Sequence, residues 1–391
     1  MLPFPILNQY GNEVEVPVVK FTTSEYSSTY SILKNGVLYL SGDNSMYQMG
    51  DGTTTNKYNT WIKRTETEEI IACSTGYRQT VYVTKTGRVM LTGTDITVNP
   101  NVVRTSWYNI TSVLASSIDT SAIKYISIDR YGLLVILTDG TVWGTGTDST
   151  GWMGTGSVPS TFLSMRQIHP GPAVACTAGT GVARIVLQDG TILGSGNNTS
   201  YQIDSTGVNI STFTNSFPTV DPSTIYQFKL GNNNCIVFLN NGTFHSTGMG
   251  SYGALGNNNT AISGNNQYYT GTLSFTPADM RQYRHLQGSS ASAWSLVLSS
   301  SNEMYGCGYQ GGNLISNTVS YGVFTKCVQT STYPNMMFLS GSGNTVLINP
   351  YLVPATSVQL IASSPKATSP YAQSLTPALG ISTAVTVTLP T

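Results

Sequence analysis

The chain is predicted to be all-β and to fold as a propeller or another repeat array, on three observations. A phrase recurs: "LTDGTVWGTGTDSTGWMG" at 137–154, "LQDGTILGSGNNTSYQID" at 187–204 and "LNNGTFHSTGMGSYGALG" at 239–256. Six glycines fall at one register, Gly42, Gly93, Gly146, Gly196, Gly248 and Gly308. They lie about fifty residues apart, the spacing of a repeat architecture. Each of the first five units also carries a turn pair between two apolar runs: Asn35-Gly36, Thr86-Gly87, Asp139-Gly140, Asp189-Gly190 and Asn241-Gly242. That is the pattern of a hairpin.

The elements follow in a fixed order. A unit opens with a short β-rich segment, a small-residue turn and a second apolar strand, as in "EEIIACSTGYRQTVYVTK" and "IKYISIDRYGLLVILTD". The two-residue turn comes next and demands positive φ at both central residues. The sixth copy, Ser301-Asn302, lacks the glycine and is expected to be looser. The third strand then ends at the register glycine, as in "VLYLSG", "RVMLTG" and "TILGSG". Glycine weakens a strand unless another backbone approaches closely. Crowding of the innermost strands at the axis of a radial array is the expected cause.

A loop completes the unit: "GDNSMYQMG" at 42–50, "GTDSTGWMG" at 146–154 and "GMGSYGALG" at 248–256. The fourth unit keeps its outline as "GNNTSYQID" at 196–204, and the second unit, after Gly93, loses it. Met49, Met153, Ile203 and Leu255 share its apolar slot. Each is expected to plug the space between adjacent blades.

In this order of parts the units resemble the repeats of the RCC1 (regulator of chromosome condensation) family, over residues 16–349. The resemblance implies a seven-bladed RCC1-like β-propeller. Six blades with an irregular appendage is the alternative. First halves of the unit occur seven times, ending with "MMFLSGSGNTVLI" at 336–348, but second halves only six. Residues 4–18 are therefore expected to close the last blade, giving a propeller over 1–350 with no open sheet edge. Residues 351–391 carry five prolines and Lys366 as their only charge. They are expected to form an extended C-terminal arm, whose end, "ISTAVTVTL", alternates like a strand without a partner.

Composition narrows the function. Charged residues make up 9% and the net charge is zero, so there is no basic excess to neutralise a phosphate backbone, and nucleic acid is not an expected partner. The opening "MLPFPILNQYGNE" lacks the basic and apolar regions of a signal peptide. No apolar run is long enough to cross a bilayer.

Catalytic and metal chemistry find little to work with. Five cysteines, Cys73, Cys176, Cys235, Cys307 and Cys327, form no C-x-x-C pair, and small buried thiols are expected. His169, His245 and His285 hold unlike positions in their units. Glu66, Glu68 and Glu69 read as a solvated acidic loop. Neither catalytic residues nor a cofactor or metal site is expected, and the protein is read as a non-enzyme. The remaining candidates are Tyr47, Trp152, Tyr201 and Tyr252 in the interstrand loops. Arrayed on one face they form a candidate contact surface, because Tyr and Trp bury much area at small entropy cost.

The expected function is that of a structural or adhesive component of a large assembly, a bacteriophage virion put together in a host cytoplasm. Such a propeller (tail, collar, fibre or capsid decoration) would be anchored to other structural proteins through residues 351–391 and face a host-surface ligand. The reading rests on the scarcity of charge and the Asn/Ser/Thr/Gly/Tyr-rich strands. Two alternatives stand beside it: an RCC1-like regulator that binds a small GTPase, and a secreted protein- or carbohydrate-binding propeller.

Overall fold

The computed structural model describes residues 19–23, 29–34, 36–64, 66–98, 102–156, 160–178, 181–230, 233–260, 268–279, 294–301, 303–308, 321–326, 337–341, 344–348, 357–363 and 383–388. They form seven antiparallel sheets, each a meander of strands consecutive in sequence. Sheet 1 is Val19–Thr23, Thr29–Lys34, Val37–Gly42 and Lys57–Arg64. Sheet 2 is Ile70–Thr75, Gln79–Thr84, Val89–Asp95 and Val102–Asn109. Sheet 3 is Ile123–Asp129, Gly132–Leu137, Val142–Asp148 and Ser160–His169. Sheet 4 is Ala173–Ala178, Val182–Leu187, Ile192–Gly196 and Ile210–Asn215. Sheet 5 is Ile225–Leu230, Asn234–Leu239, Thr243–Gly248 and Tyr269–Thr272. Sheet 6 has three strands among the described residues, Trp294–Leu298, Met304–Gly308 and Tyr321–Lys326.

Sheet 7 corrects the expectation of an extended arm. Its strands are Met337–Gly341, Asn344–Ile348, Ser357–Ser363 and Thr383–Thr388. The outer strands missing from the repeat count come from residues beyond 350; residues 4–18, expected to close this blade, lie outside the described residues. The alternating end of the chain has its partner inside the chain, with Ser357 opposite Thr388 and Thr345 opposite Ser363. The prolines did not prevent this because none falls within a strand; proline has no N–H for the ladder and is confined to the connections. The ring closes where the first strand of sheet 1 meets the first strand of sheet 7.

The first strands of sheets 7, 1, 2, 3 and 4 touch in succession, so they line the axis. Burial falls outward from there. Gly132–Leu137 is buried along its whole length, whereas Val102–Asn109 is largely exposed. The core is a set of layers between successive sheets. One layer joins Val81, Val83 and Leu91 of sheet 2 to Ile126, Ile128 and Leu133 of sheet 3. Others join sheets 3 and 4 around Met153 and sheets 4 and 5 around Val186 and Val237. Inner strands covered on both faces read as continuous apolar runs, not as alternation.

The expected hairpin geometry needs revision. Gly87, Gly140, Gly190 and Gly242 have positive φ, but Thr86, Asp139, Asp189 and Asn241 do not. In sheet 3, Leu137 N donates to Thr141 O and Gly140 N to Leu137 O. This is a three-residue loop with glycine in the left-handed bulge position. The Asp carboxylate adds a cap: Asp139 Oδ1 accepts from Thr141 N at 2.8 Å. Of the described hairpins between second and third strands, the first, with Lys34 opposite Val37, is the two-residue turn. The sixth hairpin closes in the same register as the others through Ser299 N to Glu303 O at 2.8 Å; Asn302 itself lies outside the described residues.

The register glycines also have a different cause from axial crowding, since they sit on third strands. Gly146 has φ +133°, and a Cβ there would lie 2.1 Å from the Tyr131 carbonyl oxygen, in the turn before the second strand. The pairing of third and fourth strands shifts register at this glycine. Gly146 stays opposite Gly132 of the second strand, and the extra residues of the bulge lie on the fourth strand, between Phe162 and Arg166.

Glu66 is not a solvated residue. Its carboxylate accepts from Arg64 at 2.5 Å and also from Arg88 and the Tyr82 hydroxyl, with only 7% of its side chain exposed. Burial alone would raise its pKa. The Tyr82 hydroxyl and the two guanidiniums outweigh that and hold the carboxyl below the usual range. The folded state therefore gains stability above the unfolded pKa of about 4.3 and loses it as pH falls through the folded value. Glu66→Gln is expected to cost about 2 kcal/mol at neutral pH. Urea denaturation at pH 7 and pH 3 checks this, and the difference from wild type should shrink at the lower pH.

Candidate protein-interaction surface

Antiparallel meanders with inner first strands have a simple consequence for where loops emerge. The turn between first and second strands and the loop between third and fourth strands share one face of the ring. The glycine hairpins and the connections between sheets share the other. The first of these, the loop face, carries Tyr47, Tyr201 and Tyr252.

The loops are built on a residue that the repeat alignment did not single out, two positions after the register glycine. Asn44, Asp148 and Asn198 occupy it and are fully buried. Asn44 Oδ1 accepts from Met49 N at 2.9 Å, and Asn198 Oδ1 accepts from Ile203 N at 2.8 Å. Asp148 accepts from the backbone of Gly151, Trp152 and Met153. These bonds fix the apolar slot: Met49, Met153, Ile203 and Leu255 are all buried. Met49 packs with Leu38 of sheet 1 and Ile70 and Tyr82 of sheet 2, so it plugs the seam between blades as expected.

A second unrecognised feature latches neighbours together. The residue before the register glycine reaches the loop of the preceding sheet: Thr92 Oγ1 donates to Tyr47 O, Ser195 Oγ to Trp152 O and Thr247 Oγ1 to Tyr201 O. In sheet 6 the thiol of Cys307 takes this place, 3.6 Å from Ala254 O. Cys73, Cys176, Cys235 and Cys307 are buried thiols outside any disulfide; Cys327 lies outside the described residues. The loop tails then lie on the outer strand of the next sheet. Gly50 faces Trp107, Gly154 faces Phe213 and Gly256 faces Phe324.

The four candidate contact residues separate into two groups. Trp152 is buried, with Nε1 donating to Thr147 O at 2.8 Å and its ring against Gly132. It holds sheets 3 and 4 together and is not surface. Tyr47, Tyr201 and Tyr252 are half-buried, with φ of 63°, 58° and 60°. Gly151 and Gly253 take the place of Tyr47 and Tyr201 in their loops and also have positive φ.

The loop face also bears a basic pair that sequence reading missed. Arg78 and Arg130, in the first turns of sheets 2 and 3, are exposed. Their guanidinium carbons lie 4.7 and 5.0 Å from the centre of the Tyr77 ring. Arg130 also lies 5.1 Å from the centre of Tyr131. Cation–π geometry of this kind holds a guanidinium in place.

Among the described residues, no group of three or more His, Cys, Asp or Glu is placed to hold a metal ion. His169 and His245 lie on different sheets, each with its pKa lowered by burial; His285 lies outside the described residues. No helix of the described residues is long and apolar enough to cross a membrane.

The seven meandering sheets define a β-propeller, RCC1-like in fold. No protein-family model matches the chain, and no curated protein matches it in sequence. Solved structures do. Prp20p from Saccharomyces cerevisiae, in a study of its binding to Gsp1p and histones, is 14% identical, with a TM-score of 0.62 over 89% of this chain and 85% of that one. Yeast RCC1 (Prp20) bound to Kap60 gives the same identity and TM-score over 82% and 78%. Human WBSCR16 is 14% identical with a TM-score of 0.51 over 67% and 68%.

Proposed function

We propose that this chain is a non-enzymatic, protein-binding propeller that engages its partner through the loop face, with Tyr47, Tyr201 and Tyr252 as contacts. One observation carries the reading. Three half-exposed tyrosines are held in left-handed backbone, where an L side chain costs about 1 kcal/mol relative to glycine. Two sibling loops put glycine at the place of Tyr47 and Tyr201. A side chain kept against that cost, partly in solvent, is a candidate for binding.

The similar propellers point the same way. Prp20 is described as bound to Kap60 and as binding Gsp1p and histones, which favours a regulator that binds proteins. Placement in a virion has no counterpart among these three structures. The anchoring arm is not carried forward, because Ser357–Ser363 and Thr383–Thr388 are paired within the chain.

The test uses glycine in place of alanine. A variant with Tyr47, Tyr201 and Tyr252 all replaced by glycine should melt at or above the wild-type temperature, since the backbone strain is relieved. It should lose the proteins that wild type captures by cross-linking in the cells that produce it. Undiminished capture by the variant would remove the tyrosines from the interface.

A further inference from the structure

We infer that the gap left by the shortened second repeat is a docking site for an acidic polypeptide segment, held by Arg78 and Arg130 and by the outer strand of sheet 3. The inference rests on the protein-binding reading above and names a partner chemistry and a place for it.

The place follows from comparing sheets. In sheets 2, 4 and 6 the loop of the preceding sheet lies on the outer strand. Gly52 N donates to Thr105 O at 3.1 Å, Gly156 N to Ser211 O at 2.7 Å and Asn258 N to Gly322 O at 2.8 Å. The equivalent residue of sheet 3, one past the partner of the register glycine, is Leu163. The connection that would cover it is shorter: sheet 2 runs from Gly93 to Val102 where sheet 3 runs from Gly146 to Ser160. Among the described residues no loop N–H reaches the Leu163 carbonyl, and Leu163 is 43% exposed.

Sheet 4 shows what fills such a place. Its covering segment, Thr150–Gly156, touches both the first turn and the outer strand: Thr150 Oγ1 donates to Gly181 O at 2.6 Å, and Gly156 N to Ser211 O. A segment of the same length on sheet 3 spans from the Arg130–Tyr131 turn to Leu163. Main-chain pairing to a strand is a general mode of peptide capture.

The chemistry follows from the charges. Arg78 and Arg130 are like charges stacked on one ring, and neither makes an ion pair among the described residues. The turns that carry them are fixed to each other, since Gln79 Nε2 donates to Asp129 O at 2.8 Å and Gly76 fits under the Ile128 carbonyl. A carboxylate between the two guanidiniums offsets their repulsion and accepts planar, paired hydrogen bonds. Two arginines match one or two carboxylates. They do not make the row of cations that tracks a phosphate backbone.

The experiment measures fluorescence anisotropy of labelled hepta-glutamate, hepta-glutamine and an oligothymidylate of similar length with the full chain at low salt. Hepta-glutamate should bind, weaken as salt rises, and weaken roughly tenfold in Arg78→Ala/Arg130→Ala. Backbone N-methylation of the peptide should weaken it further. Circular dichroism checks that the double variant is folded. The tyrosine-to-glycine variant should bind hepta-glutamate normally, so failure of this site and failure of the tyrosine surface are read separately. Equal binding of hepta-glutamate and hepta-glutamine, or no effect of the double substitution, overturns the proposal. Tighter binding of the oligothymidylate overturns it in favour of nucleic acid.

Discussion

Gly196→Ala is expected to cost about 4 kcal/mol or more and to leave little folded protein at 37 °C. The residue has φ +110°, which alone penalises a side chain. Steric contact costs more. An added Cβ would lie 2.1 Å from the Gly181 carbonyl oxygen and 2.9 Å from Trp152 Cβ. The first obstacle is backbone of the first turn, and the second belongs to a buried ring that joins sheets 3 and 4, so neither can withdraw cheaply. Gly52→Ala is the control. Its φ is +77° with nothing within 4 Å of an added Cβ, so only the conformational cost of about 1 kcal/mol applies. Urea denaturation of both variants decides. Equal losses would mean that positive φ, and not the close approach, explains the repeat of glycines.

Much of this fold was legible because repeats multiply weak signals. One glycine in a strand says little, but six at one register specify a backbone demand, even though its cause had to be seen. The demand is close approach to the carbonyl of the first turn, Tyr131 for Gly146 and Gly181 for Gly196, a contact between residues some fifteen apart that no local pattern encodes. The seventh sheet was misread for a related reason. "SVQLIAS" and "TAVTVT" are ordinary strands, but they lack the repeat's turn pair and glycine, and the prolines between them resemble a linker.

The surface was less legible than the core. Trp152 and Tyr47 sit in equivalent loops, yet one is buried and the other half-exposed. The difference is a one-residue offset: Gly151 takes the left-handed position in sheet 3, so the aromatic ring moves on to the next residue and turns inward. Arg78 and Arg130 escaped notice because they belong to different repeats, and only packing of the first strands brings them to one ring. That packing runs through side chains such as Ser74, whose Oγ accepts from Ile128 N. The lost loop of the second repeat was plain in the sequence, but its meaning required knowing which strand the other loops cover.

Lys229→Met is expected to stabilise the protein by about 3 kcal/mol near pH 7. Lys229 is 2% exposed on the first strand of sheet 5, facing sheet 6. Its Nζ lies 3.1 Å from Ser295 Oγ. Burial lowers its pKa to about 8, against a smaller opposing effect of Cys307 and Cys235. Those thiols are themselves pushed up by burial, to about 12 and about 11, so near neutrality they supply no negative charge. The sign is that of a depressed lysine. Between pH 8 and the unfolded value of about 10.4, the unfolded chain binds more protons, so this group makes stability rise with pH. Below pH 8 its full penalty is present. Methionine fills a similar volume without a charge, and Ser295 keeps its bond to Ala254 O at 2.7 Å. Urea denaturation of wild type and variant from pH 7 to pH 10.5 follows this group, because titrations away from Lys229, Cys235 and Cys307 are shared. The advantage of the variant should be greatest at pH 7 and vanish by the top of the range. A variant less stable than wild type at pH 7 would mean that the contacts of the ammonium outweigh its desolvation, and that the charge belongs to the seam between sheets 5 and 6.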